Sequence, residues 1–225
     1  MHGGDRGHGN FDRPSGMKTE EKTITSAYLW FDSEFTGLDL EHASLLQVAL
    51  LATDTALNRL APSTRDVNLY IRLEPDVPVS AWVEKNLAGL LGHCRSGQAV
   101  TVEEADQRLS ALVDEAVGPV ANDIKLRPVL AGNTVHMDMS LARKFLPRFA
   151  SRLHYRLLDV STLKVLWNDW SRGPVFDKSQ PELVRQYIPA NVGLPAAVEH
   201  DAYYDIHASL AELNYYRNQL SQKLK

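Results

Sequence analysis

The chain has 225 residues, 44% of them hydrophobic and 23% charged, which suffices for the core of one α/β domain and argues against a second full one. Its formal net charge of −4 excludes a global positive field that could track long duplex or single-stranded nucleic acid. An enzyme whose substrate carries only one or two phosphates is not excluded. Cys94 is the only cysteine, so there is no intramolecular disulfide; it reads as a small hydrophobe in a reducing compartment, the cytoplasm or alternatively an organelle.

Residues 1–22 are Gly-rich and polar with no hydrophobic segment, and are expected to be a disordered tail rather than a signal or transit peptide. The domain is expected over 23–225, without a membrane association, since no apolar run approaches the ~20 residues of a bilayer span. Ala27–Asp32 (AYLWFD), an apolar run ending in a carboxylate, predicts the first strand. Leu45–Thr53 and Val67–Leu73 predict the next two, with Pro62, Ser63 and Thr64 as loop chemistry between them, so the chain should open as an antiparallel meander. The period then changes. Val102, Ala105, Leu109, Leu112, Val113, Ala116 and Val117 recur at helical spacing up to Gly118-Pro119.

Arg127–Ala131 predicts a short buried strand, followed by a Gly132-Asn133 turn and a helix from Asp138 to Phe149. Leu157–Val160 predicts a fifth strand, and Ser161 is expected to cap the helix after it. Residues 171–199 are loop-rich with one short helical piece (PELVRQYI), and a last helix runs from Ala202 to Leu220, burying Ile206, Leu210 and Leu213. Three strands followed by alternating helix and strand predict a ribonuclease-H-like mixed five-stranded sheet flanked by helices.

Three places carry chemistry. Asp32-Ser33-Glu34 puts two carboxylates on one face of a strand end, where they can converge on a hard divalent cation; the plain alternative is a polar strand end entering a turn. Asp138 follows the Gly132-Asn133 turn at a helix start, where an acid could equally serve the helix dipole. His200 and Asp205 stand five residues apart, about 140° on a continuous helix. They can reach one cavity only if His200 lies in the loop before the helix. A histidine is the natural proton acceptor near neutral pH, although a lone loop histidine is more often a surface residue.

Taken together, an acid pair on strand one, an acid after a Gly-Asn turn and His-x4-Asp at the last helix resemble the DEDDh exonucleases. The segments WFDSEFTGLD, LAGNTVHMD, HYRLLDVSTLK and EHDAYYDIHASLAELNYYR, spread over Trp30 to Arg217, are similar to blocks of the oligoribonuclease family. The resemblance implies that Asp32, Glu34, Asp138 and Asp205 hold two Mg²⁺ or Mn²⁺ ions, with His200 as general base, in a homodimer that cleaves very short RNA, preferentially dinucleotides, to 5′-mononucleotides. It implies a 5′-phosphate cap from Thr134, Arg156 and Ser161 with Tyr155 nearby, the Tyr-Arg pair coming from the neighbouring subunit. Leu38 resembles the residue wedged between the bases and Trp82 an aromatic that stacks on one, plain core packing being the alternative for Trp82.

The sequence departs from the family in three places. The run VEKNLAGLLGHCRSG after Trp82 is longer and more apolar, with His93 as the counterpart of a family histidine. Tyr204 stands where an acid usually precedes the last aspartate. The segment SRGPVFDKSQ is longer than usual. Two rival readings are a DEDDh exonuclease acting on longer RNA or DNA 3′ ends, and a catalytically inactive binding module.

Overall fold

The computed structural model describes residues 27–171, 173–196 and 200–223; the expected tail, and residues 23–26 of the expected domain, lie outside the described residues. At the centre of its sheet is β1 (Ala27–Phe35). It pairs antiparallel with β2 (Leu45–Asp54), which pairs antiparallel with β3 (Val67–Tyr70). On its other side β1 pairs in parallel with β4 (Val129–Gly132), and β4 with β5 (Leu157–Asp159). The order is β3-β2-β1-β4-β5, the mixed five-stranded sheet expected of this pattern.

Period-two alternation sends Leu29 and Phe31 of β1 to one face and Trp30 to the other. The first face is covered by α3 (Val102–Val117), α4 (His136–Phe145) and α5 (Pro147–Ala150). The second is covered by α6 (Val160–Trp170), α7 (Pro181–Tyr187) and α8 (Ala202–Lys223). Ile206 and Leu210 of α8 are buried and Leu213 is partly so. This helix is buried on nearly all sides through its middle, where Ala208, Ser209, Leu210, Ala211 and Glu212 are consecutive buried residues. Among the described residues no helix is long and apolar enough to cross a membrane.

Several expectations need correction. The helix expected from Asp138 to Phe149 begins at His136 and breaks at Leu146. Pro147 lacks an N–H and disfavours helical backbone in the residue before it, so Leu146 leaves the helix at φ −125° and ψ 58° and α5 restarts with proline in its first turn. β3 stops at Tyr70 rather than Leu73, because the chain turns away: Ile71 forms an isolated bridge to Val100, and Arg72 N–H donates to the Val100 carbonyl at 2.8 Å. The cap of α6 is Asp159, whose carboxylate accepts from Ser161 N–H at 2.9 Å; Ser161 lies inside the first turn. Residues 81–94, for which the sequence suggested no element, form α1 (Ala81–Asn86) and α2 (Ala88–Cys94). Ser80 caps α1, accepting from Val83 N–H. Val83, Leu87, Leu91 and Cys94 make a third small core against Leu46. The Cys94 thiol donates to the Leu46 carbonyl at 3.1 Å and burial pushes its pKa up to about 11, so it is the inert hydrophobe expected.

Candidate active site

The carboxylates gather where β1 ends. Asp32 and Glu34 share the face covered by α8, and one oxygen of each lies within 4.8 Å of the other and of an oxygen of Asp205, in the first turn of α8. A register shift between Glu34 and Phe35 leaves Leu46 of β2 as an extra residue, a bulge of the kind that re-aims a strand end beside a site. Ser33, between the two acids, faces the other way. Its hydroxyl donates at 2.6 Å to Asp138, buried in the first turn of α4. Asp138 therefore approaches the strand end from the opposite face and stands outside the group of three closely spaced carboxylates.

The start of α8 is fixed by groups absent from the sequence argument. Asp201 accepts from Tyr204 N–H at 3.0 Å, as a helix cap does. The buried Gln47 of β2 joins it, donating to Asp201 at 3.1 Å and accepting from Ala202 N–H at 3.3 Å. His200 precedes this cap with a left-handed backbone, φ +53°. It is thus in the loop before the helix, the condition under which it and Asp205 can reach one cavity, and its ring meets Trp82 edge-on with centroids 5.2 Å apart.

Electrostatics mark the same place. Burial, then the charges of Asp138, Asp205 and Glu34, hold Asp32 well above the ordinary carboxyl range. Glu34 is pushed up to about 8 by burial and then by Asp205 and Asp138. Burial raises Asp138 to about 7 against the opposing hydrogen bond from Ser33. Several acids that resist ionising together form a site whose charge a divalent cation would relieve. The donors are all carboxylate oxygens, the chemistry Mg²⁺ and Mn²⁺ favour, so the residues fit such an ion. One internal cation is already beside them: Lys178 Nζ donates to Asp205 at 2.8 Å.

Two further groups of expected residues come together. Thr134, left-handed at φ +54°, donates its N–H to Asp159 and to the Ser161 hydroxyl, both at 3.0 Å, and its own hydroxyl lies 3.3 Å from Ser161 Oγ. The turn before it needs Gly132, since a Cβ there would stand 2.8 Å from the Phe31 carbonyl oxygen. Asn133 donates at 2.8 Å to Glu212, a fully buried acid of α8 also bonded to Tyr216, which ties this turn to the last helix. Leu38 and Trp82 line a cleft of about 530 Å³ with Glu34, Phe35, Gly37, Ser80, Val83 and Leu87. Leu38 is 82% and Trp82 54% exposed, which removes core packing as the role of Trp82.

Tyr155 and Arg156 are not brought to Thr134 and Ser161. They precede β5, whereas Asp159 makes its last pairing, with Gly132, and Ser161 follows it, so the length of the strand separates Tyr155 and Arg156 from Thr134 and Ser161. Arg156 lies over the exposed Tyr155 ring at 5.5 Å, and His154 stacks on that ring at 4.4 Å. His93 stacks on Tyr70 at 4.4 Å, and among the described residues Leu87, not His93, lines the cleft beside Trp82. Tyr204 is buried in the α8-side core.

Ser33, Gln47, Asp201, Lys178 and Glu212 also act at this site, although none of them belongs to the groups expected from the sequence. A signal existed for Glu212, an acid set among Ala208, Leu210, Ala211, Tyr215 and Tyr216. The others are ordinary polar residues whose importance depends on long-range pairing.

The profile of the family described as Exonuclease matches residues 29–213. The mitochondrial oligoribonuclease of Bos taurus is 33% identical over 207 residues, covering 90% of this chain and 76% of that one. The oligoribonuclease of Mycobacterium ulcerans is 34% identical over 194 residues, covering 84% and 79%. That of Chromobacterium violaceum is 30% identical over 197 residues, covering 86% and 94%. Among solved structures, exonuclease I from Methylocaldum szegediense shares the fold with a TM-score of 0.61 at 18% identity over 88% of this chain. E. coli exonuclease I in complex with a dT13 oligonucleotide gives 0.60 at 18% over the same share. This chain spans less than half of those two, 41% and 43% respectively. The family profile, relatives matched over three quarters or more of their length, and the fold agree: the chain belongs to the oligoribonucleases of the exonuclease family and is a nuclease of the hydrolase class.

Proposed function

We propose that this chain is a 3′→5′ exoribonuclease that hydrolyses very short RNA, preferentially dinucleotides, to 5′-mononucleotides. The observation that carries the reading is the meeting of Asp32, Glu34 and Asp205 at a strand end, with Asp138 approaching from the other face, beside a cleft with exposed Leu38 and Trp82. Two divalent ions held by these four acids would stabilise the attacking and the leaving oxygen of an in-line displacement at phosphorus.

The chain's own groups supply the rest. His200, in the loop facing the cleft's Trp82, takes the proton of the attacking water, and the 3′ oxygen of the preceding nucleotide leaves. Leu38 and Trp82 hold the bases by wedging and stacking, a contact worth ~1–3 kcal/mol per base. The Thr134 and Ser161 hydroxyls, clustered at the first turn of α6, receive the 5′ phosphate.

Arg156 completes that cap from a second protomer, with Tyr155 beside it. The separation of Tyr155 and Arg156 from Thr134 within one chain supports this, as do the exposed Val165 and Trp170 of α6, apolar surface that a neighbouring subunit would cover. The protein is accordingly a homodimer, and its one buried thiol suits the cytoplasm or another reducing compartment.

The test is a length series. With 5′-labelled RNAs of two to ten nucleotides and Mn²⁺, initial rates should be highest for the dinucleotide and fall with length. Equal or faster cleavage of longer RNAs would overturn the dinucleotide preference while leaving exonuclease chemistry intact.

A further inference from the structure

Lys178 belongs to none of the motifs that assign the carboxylates. It lies in the 171–180 segment, yet its ammonium sits 2.8 Å from Asp205 Oδ1, inside the field of Asp32 and Glu34 as well. Its position is built from both sides. Before it, Phe176 is fully buried, packed on Tyr187 and Tyr215. The carboxylate of Asp177 accepts from the Ser179 N–H and hydroxyl and from Gln180, closing a turn that leads into α7. The backbone around Lys178 is thus anchored, while its long side chain is 44% exposed and can swing.

We propose that Lys178 is a tethered cation that neutralises Asp205 in the metal-free protein and has to leave it when a divalent ion binds there, so that it sets the metal affinity of the site. The inference rests on the metal-site reading above. A point charge on a flexible stem suits this positioning role, because it can hold one carboxylate oxygen and release it without disturbing the strand or helix that carries the acids. The carboxylates then never face one another without a cation, and metal enters by exchange for an internal charge.

The experiment is calorimetric titration of the full chain with Mn²⁺ alone, without RNA. Lys178→Met removes the competitor and should bind Mn²⁺ about tenfold more tightly than wild type, the scale of one half-exposed charged hydrogen bond. Lys178→Gln, which keeps a polar head, should shift in the same direction, and Lys178→Arg should stay near wild type. Melting in EDTA adds a second readout: Lys178→Met should melt lower than wild type and gain more on adding Mn²⁺. Equal Mn²⁺ affinity of wild type, Lys178→Met and Lys178→Gln overturns the role of Lys178 and leaves the metal site standing. No Mn²⁺ binding by any of these proteins overturns the metal site, and this role with it.

Discussion

Glu34 and Trp82 line the same cleft but are held by opposite means. Glu34 sits on β1, the central strand, in register with Gln47, whose own side chain holds the start of α8. Trp82 is half exposed on α1, a helix of one and a half turns within the 81–94 segment, and the small core beneath that segment is separate from those on either face of the sheet. The carboxylate side is therefore overdetermined by the sheet, whereas the side proposed to hold the bases is a local attachment. Such an attachment can lengthen or change side chains without moving the acids.

If this contrast is right, the largest effect belongs to the carboxylate side. Asp138→Asn should lower kcat by at least about 10³-fold, since it weakens a ligand whose ion supplies several kcal/mol at the transition state. The same variant should keep the Ser33 hydrogen bond and, with one repelling acid neutralised, melt in EDTA no lower than wild type. Single-turnover rates with circular dichroism measure both, and retained activity would show that Asp138 is misassigned.

On the attached side the effect should be smaller and of another kind. Trp82→Ala should reduce kcat/KM for a dinucleotide about 10- to 100-fold, mostly through KM, as loss of one stacking platform predicts. A change confined to kcat would instead mean that Trp82 acts through His200, its edge-on neighbour.

The last effect concerns pH and falls on stability rather than on turnover. In the metal-free protein Glu34 keeps its proton up to about 8, and Asp138 up to about 7, while the unfolded chain releases both near the ordinary 4.5 and 3.8. The folded state then binds more protons than the unfolded one across that window, so stability should fall as pH rises from about 5 to 8. Melting scans in EDTA should show this decline, and Mn²⁺ should reduce it by binding the ionised acids. A melting temperature in EDTA that rises toward pH 8 would contradict the crowding of these carboxylates.

Much of this was legible in the sequence, for physical reasons that also set the limit. The strand ending in Asp32-Ser33-Glu34 could be read because strand alternation alone puts the two acids on one face. For His200, helical geometry could say only that a cavity shared with Asp205 required it to lie in the loop before the helix. All five strands were found from short apolar runs, although Tyr70 ended β3 early because Val100, thirty residues on, offered the next pairing. The break at Leu146 was written in Pro147 and was missed by following apolar spacing alone. Asp159, rather than Ser161, as the cap of α6 was decided between two good cap residues two positions apart by the reach of one carboxylate to Ser161 N–H. Lys178, Gln47 and Ser33 could not be read, because each acts across the fold on a partner that periodicity does not reveal.

The most direct measurement is anomalous scattering from crystals grown with Mn²⁺ and a non-hydrolysable dinucleotide. Two peaks are expected about 4 Å apart between the end of β1 and the first turn of α8, with Asp32, Glu34, Asp138 and Asp205 all among the ligands and Lys178 withdrawn from Asp205. Peaks elsewhere, or a single ion that leaves Asp138 bound only to Ser33, would contradict this arrangement.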